Sequence, residues 1–491
     1  MFALQRLLIP AVIATVLLFT FLLGSGISSA LPGESIDFIK SPFKSRPRFN
    51  VLVPATASNL NLCKLLLSAA VTGYPDPVLL GWNGHGEYNG AESHLFKISE
   101  TLAYLNTLPA SSDNDLALVL DGYDIWLQLR PDVLISRYYK VINQANTRLR
   151  EQNLLGATYG GAEIKQSIVF GPDKTCWPED DRRPACWAVP DSPMSNISFG
   201  PDTDTWIVPN RPRWLNSGTI MGPVKDMRDM FNATLTMVRR KFDDNYEFKS
   251  SDQFYFQEVW AEQEFARLLK RDGSVQAPLV GENTKGDLPN IQGDSRTEFH
   301  ITLDYASDIF QTSAYYTEVM SWLRYNASTP RPKHQQTTRR IDQMTLTDDV
   351  LRSAPPFAAG QAEDGLPVHE QWADVMLGVN TVNQQAFPLY HVTGVKEWRE
   401  RWWPRMWFHP HSEALFKAAK RKTAGGKSGI VIANVNGVSY VGAKMVLNGS
   451  TVATEKTEHI DDGEGGAWSD QGEYLPWKGL CGNHGKDLFL T

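Results

Sequence analysis

Cysteine is scarce in this chain: four occur among 491 residues, and none form a Cys-x-x-Cys pair. So few exclude a fold built on disulfides, and the missing paired spacing excludes a zinc ribbon or finger. A basic excess is also absent, since 48 Lys and Arg face 55 Asp and Glu for a net charge of −7. That balance argues against a nucleic-acid partner, whose phosphates call for a positive surface. No internal repeat is present. What the chain does have is 42% hydrophobic residues against 21% charged ones, enough for a sizeable core and incompatible with global disorder. Its length suits about three folded units, or one large unit with additions. Fifteen Trp residues fit aromatic-lined clefts and bulky core packing equally well.

Charge is missing altogether from Leu7 to Leu31, and Leu7 to Leu23 is almost wholly aliphatic or aromatic. About twenty apolar residues span a bilayer as a helix, so the segment is expected to be a transmembrane anchor. Arg6 lies before it and Glu34 and Asp37 after it, which favours a cytosolic amino terminus and a lumenal body. Ser28-Ser29-Ala30 offers the alternative of a cleaved signal peptide, but the apolar run is long for a signal core. Four N-glycosylation tripeptides, at Asn196, Asn232, Asn326 and Asn448, agree with entry into the secretory pathway. In an oxidising lumen Cys176 and Cys186 can close a small loop, while Cys63 and Cys481 can pair or stay free.

After a Pro-rich stem the body alternates strand and helix patterns. Phe49–Val53, Val78–Leu80 and Leu116–Leu120 read as buried strands. Leu60–Val71, His94–Leu108 and Val133–Ile142 read as helices, as do 224–242 and 252–269 further on. This pattern predicts an α/β fold with a mainly parallel sheet flanked by helices. Residues 171–213 read as a long irregular excursion and 326–368 as an exposed polar stretch, while the chain from Ala424 turns rich in Gly, Ser and Asn.

Ligands of open α/β sheets sit at the carboxyl ends of the strands. There the third strand runs into Asp121-Gly122-Tyr123-Asp124, whose two carboxylates can converge on one hard divalent cation. Such acids are also common in solvated turns. Further on, Tyr390-His391-Val392-Thr393-Gly394-Val395-Lys396 can supply a third metal ligand, a close backbone approach and a cation for phosphate. Between them lie Asn216-Ser217-Gly218, suited to sugar hydroxyls, and Ser251-Asp252-Gln253 at a helix start, where Asp is equally a capping choice.

In this order the pieces resemble the glycosyltransferase domain of the procollagen lysyl hydroxylases and, more distantly, the glycogenin-like retaining transferases. The resemblance covers roughly residues 49–325 and 380–400. It includes Val53-Pro54-Ala55-Thr56, Lys97, Phe170 with Cys176-Trp177-Pro178, Leu303-Asp304-Tyr305 and Ile309-Phe310-Gln311. It implies the type A, Rossmann-like glycosyltransferase fold, a UDP-sugar donor and Mn2+. Carried over by residue, it implies Asp121, Asp124 and His391 as metal ligands, with Thr56 and Tyr123 beside the nucleoside. Asn216 and Asp252 would face the transferred sugar, Lys396 the phosphates, and Lys97 and Gly394 would complete the donor site. Three departures stand out. The Gly394-to-Lys396 spacing is one residue short, and a run of Asp before Asp-Gln is reduced to Ser250-Ser251-Asp252. The stretch after His391 is too short for an iron- and 2-oxoglutarate-dependent domain, so hydroxylation is not expected.

The resulting expectation is an anchor (1–31), a stem (32–48), a catalytic domain (49–325), a polar insertion (326–379), the domain's C-terminal part (380–423) and a tail without assigned role (424–491). The expected protein is a single-pass Golgi or endoplasmic reticulum enzyme acting on a protein or glycan. A non-catalytic glycan- or partner-binding relative and a glycoside hydrolase are the competing readings.

Overall fold

Side chains alternate between faces along a strand, so a strand buried on both sides must be apolar throughout. Strand β1, Arg48–Pro54, meets that demand from Val51 on, and its buried Asn50 is satisfied by donating to the Leu116 carbonyl at 3.0 Å. Phe49, Val51 and Val53 enter one core, and Leu52 enters another on the opposite face. The computed structural model describes residues 46–90, 93–280, 284–291, 295–326, 341–424, 430–443, 446–447, 450–451 and 465–489.

From β1 the chain passes through α1 (Leu60–Thr72), β2 (Val78–Leu80), α2 (Phe96–Thr107), β3 (Leu116–Leu120), β4 (Ile125–Leu127) and α3 (Pro131–Glu151). It continues through β5 (Ile168–Asp173), β6 (Trp214–Pro223), α4 (Val224–Lys241), α5 (Asp252–Asp272), β7 (Ile301–Leu303), β8 (Phe310–Thr312) and β9 (Leu389–His391). Last come β10 (Val431–Val435), β11 (Val438–Gly442), β12 (Gly466–Ser469) and β13 (Tyr474–Pro476). Helix boundaries follow local chemistry. Asn59 caps α1 by accepting from the amides of Asn61 and Leu62, and Gly73 ends it in the left-handed region at φ 84°. Pro131 opens α3, with Asp132 in its first turn and Arg148 and Arg150 in its last, matching the helix dipole.

The main sheet runs β13-β12-β2-β1-β3-β6-β5-β7, with β11 also pairing β1 and β10 pairing β11. Its centre is parallel: β1 pairs β2 and β3, and β2 pairs β12. Beyond β3 the antiparallel β6 intervenes before β5 and β7 resume a parallel pair. Helices cover both faces, α1 and α3 on the core of Val51 and Leu118, α2, α4 and α5 on that of Leu52 and Val119. The expected α/β class and mainly parallel sheet are present.

A second sheet, β8-β9-β4, is set against the first and decides the site. Aromatic rings buttress it, with Tyr390 5.5 Å from Trp126 and 5.2 Å from Trp402 between ring centres. Much of the tryptophan content is thus core. Both cysteine pairs are bonded, Cys176 to Cys186 and Cys63 to Cys481.

One expectation needs correction, and one stretch without an assigned role gains a structural one. The stretch from Ile341 to 379 is not a purely exposed insertion. Phe357 and Trp372 are buried on Trp407, each 5.4 Å from it between ring centres. Strand Leu377–Asn380 pairs with Met320–Leu323. Its apolar residues are sparse in sequence but converge in space. The Gly/Ser-rich stretch after 424 likewise builds four of the strands of the main sheet, because short strands need few side chains when their neighbours supply the ladder. No helix among the described residues is long and apolar enough to cross a membrane. The expected anchor at 7–31 lies outside the described residues, as does the stem up to 45.

Candidate metal and donor site

Strand pairing assembles the site. β3 delivers Asp121 at its end, and β4 begins one residue after Asp124. Because β4 runs antiparallel to β9, His391 lies opposite Ile125, and the Val392 amide donates to the Asp124 carbonyl at 2.8 Å. On the other side β6 pairs with β3, and the Asp121 amide donates to the Gly218 carbonyl at 2.9 Å. Asp121, Asp124 and His391 each offer a ligand atom within 4.8 Å of the others. His391 Nε2 is 3.3 Å from Asp124 Oδ1 and 3.9 Å from Asp121 Oδ2. The convergence expected from three separate points of the chain is what the fold produces.

Gly218 makes room for it. A Cβ there would stand 2.1 Å from His391 Cε1 and 2.8 Å from Asp121 Oδ2. Gly122 serves a different close approach from a ligand's, since its Cβ would meet the Pro54 carbonyl at 2.7 Å. It lets the bend sit on the end of β1.

Two lysines neutralise the acids. Lys97 is buried, with Nζ 2.7 Å from Asp121 Oδ1, 2.5 Å from Asp252 Oδ2 and donating to the Ser217 carbonyl at 3.0 Å. Burial alone would lower its pKa, but Asp121 and Asp252 outweigh that and raise it. Asp252, at the first position of α5, is held ionised against its own burial, chiefly by Lys97 and next by His94. Lys396 Nζ donates to Asp124 Oδ2 at 2.7 Å and to the Val392 carbonyl at 2.8 Å. Burial would raise the Asp124 carboxyl, yet His391 and then Lys396 depress it well below the usual carboxylate range. Lys396 thus bonds a carboxylate here rather than pointing away from it, despite its shortened spacing from Gly394. Gly394 itself turns the chain after β9 in the left-handed region, at φ 67°.

Tyr123 lies half-buried over the loop after β1. Its hydroxyl accepts from the Thr56 amide at 3.1 Å and donates to the Ala57 carbonyl at 3.0 Å, so Tyr123 and Thr56 share one wall. Asn216 accepts from the Gly218 amide at 3.1 Å, and its amide reaches Gln253 Oε1 at 3.5 Å, placing it beside Asp252.

Two neighbours escaped the sequence reading. Asp173 ends β5, and burial raises its carboxyl to about 6, offset in part by the Lys174 amide, Asn216 and, more weakly, His391. An acid closing an apolar strand was the available signal, the same one that flags Asp121. Arg399 Nη2, 3.9 Å from Asp124 Oδ2, had no signal beyond its charge.

The residues fit a divalent ion. Asp124 Oδ1 and His391 Nδ1 are both out of solvent without a hydrogen-bond partner. One imidazole and two carboxylates form a donor set that suits manganese- or zinc-class ions. The chain matches no protein-family model and no curated protein.

Proposed function

We propose that the chain is a Mn2+-dependent glycosyltransferase of the type A fold, moving a hexose from a UDP-sugar to a protein or glycan acceptor with retention. The observation that carries this reading is the meeting of Asp121, Asp124 and His391 at the carboxyl end of the sheet. Asp121, Asp124 and His391 would hold the ion, and bound there it neutralises the charge of a departing nucleoside diphosphate. Tyr123 and the Thr56–Ala57 backbone form the wall for the nucleoside, as the resemblance implies. Lys396, half exposed and already at Asp124, is within a side-chain swing of a diphosphate. Asp252 stays ionised beside Asn216, where its charge favours an oxocarbenium-like centre. Its pairing with Lys97 blunts it as a nucleophile, which supports the electrostatic role.

A hydrolase fits less well. Its two carboxylates flank the scissile bond from opposite faces of a sugar, whereas Asp121 and Asp124 lie in one bend with two residues between them and converge with His391. We place the protein in the Golgi or endoplasmic reticulum, anchored through 7–31 with its body lumenal. Incubation with UDP-glucose, UDP-galactose and their N-acetyl forms, with Mn2+ or EDTA, tests the activity. UDP release that requires Mn2+ is expected. Nucleotide binding without release would favour a non-catalytic relative, and glycoside cleavage in EDTA without nucleotide binding would replace the proposal with a hydrolase.

A further inference from the structure

A second histidine and two more carboxylates meet elsewhere on the same sheet edge. His85 lies on the loop after β2, Glu100 on α2, and Asp470 directly after β12. β12 pairs in parallel with β2, Ser469 opposite Leu79, so Asp470 emerges where both strands end. The three offer ligand atoms within 4.8 Å of one another, and His85 Nε2 is 3.1 Å from Asp470 Oδ2.

Three features of this cluster call for a cation. First, both acids are out of water: Glu100 is buried, and the Asp470 side chain is only 8% exposed. Among the described residues neither has a Lys or Arg within ion-pair distance. Buried carboxylates without a counterion are costly. Second, Asp470 Oδ1 is buried with no hydrogen-bond partner. Third, the ring is oriented. His85 Nδ1 lies 2.6 Å from the Trp82 carbonyl, which can only accept, so Nδ1 carries a proton and Nε2 is the ring atom turned to Asp470, 3.1 Å from its Oδ2.

The carboxylates are oriented too. Asp470 Oδ2 accepts from the Gly81 amide at 2.8 Å, and Glu100 Oε1 from the Glu87 amide at 3.2 Å and the Ser99 hydroxyl at 2.9 Å. Gly86 leaves space, since a Cβ would fall 2.3 Å from Glu100 Oε1. Ligands about 2.1 Å from a tetrahedral zinc ion lie about 3.4 Å from each other, close to the His85–Asp470 separation.

We propose that His85, Glu100 and Asp470 form a second divalent-cation site, taking zinc with a water in the fourth position. The ion would fasten the C-terminal strand to the loop that covers Thr56, where the Asn83 amide donates to the Thr56 carbonyl at 3.0 Å. This inference does not depend on the transferase proposal.

The test uses the full chain carrying Asp124→Asn, stripped with EDTA and dialysed, then titrated with ZnCl2 by calorimetry. One zinc per chain is expected. His85→Gln and Asp470→Asn, each added to that background, should weaken it at least 30-fold, and Glu100→Gln at least tenfold. Circular dichroism identifies any variant that fails to fold, and the isosteric Glu100→Gln and Asp470→Asn keep the comparison available. As a second readout, zinc should slow proteolysis between Trp82 and Gly90 in the Asp124→Asn chain but not after His85→Gln. No stoichiometric zinc in the Asp124→Asn chain would overturn the proposal and leave a protonated His85 as the cation. Unchanged zinc affinity in the folded variants would overturn it as well.

Discussion

Asp121, Asp124 and His391 sit among cations, while His85, Glu100 and Asp470 sit among backbone amides. The first group is neutralised by Lys97 and Lys396, with Arg399 close by. Among the described residues the second has no Lys or Arg against its acids, and its ring is pinned by a carbonyl. Both lie at the carboxyl ends of strands, and both join an early segment of the chain to a late one. The difference teaches what each can do. Acids with built-in counterions tolerate an ion that comes and goes, because lysines can take its place. Acids without them are stable only when a cation stays. One arrangement suits turnover of an anionic ligand, the other suits fastening.

The largest expected effect comes from removing the shared counterion of the first group. Lys97→Met leaves Asp121 and Asp252 without the cation they share, and both Lys97 and Asp252 are almost fully buried. A stability loss of about 3–5 kcal/mol in urea titrations is expected. A loss below 1 kcal/mol would mean that these acids are not charged together. Asp124→Asn comes next: Mn2+-dependent UDP binding should fall about 100-fold or more, while zinc titration is unchanged. If both ions were lost together, the two groups would not be independent.

These variants also show what was readable beforehand. Asp121 follows an apolar strand, Asp124 shares its bend and His391 closes another strand, and a strand end in an α/β sheet is where ligands gather, so their chemistry was legible one by one. Their meeting was legible only through the resemblance. It depends on β9 pairing with β4, a contact between distant segments that no local pattern encodes. Lys97 was reached only through resemblance, since a lysine on an amphipathic helix normally faces water. The burial of β1 and β3 on both faces was legible because their runs are almost wholly apolar. β12 was not: Gly466-Ala467-Trp468-Ser469 is too short and too small-residued to announce a strand. Without β12, Asp470 had no place beside His85.

A smaller effect sharpens the steric side. Gly218→Ala adds a methyl group into the His391 ring and should cost about 2 kcal/mol of Mn2+ affinity, roughly 30-fold, with zinc affinity untouched. Equal Mn2+ affinity would show that His391 can move aside. The last effect concerns protons. Asp173 is raised from 3.8 to about 6, so the folded chain holds a proton that the unfolded chain releases. Its contribution is complete below about pH 4 and is lost as pH rises through 6. In EDTA, Asp173→Asn should therefore gain stability relative to the parent between pH 4 and pH 7, by on the order of 3 kcal/mol. A constant difference across that range would place its titration elsewhere.

The position of β12 also bears on how the chain is made. β2 emerges from the ribosome long before β12, the strand that covers its outer side. Throughout translation of the intervening chain, β2 presents an open row of amides and carbonyls, the kind of margin that recruits stray strands. The Cys63–Cys481 bond, spanning a separation of 418 residues, likewise waits for a segment made long after its first cysteine. Truncated chains released before β12 should therefore precipitate or bind chaperones.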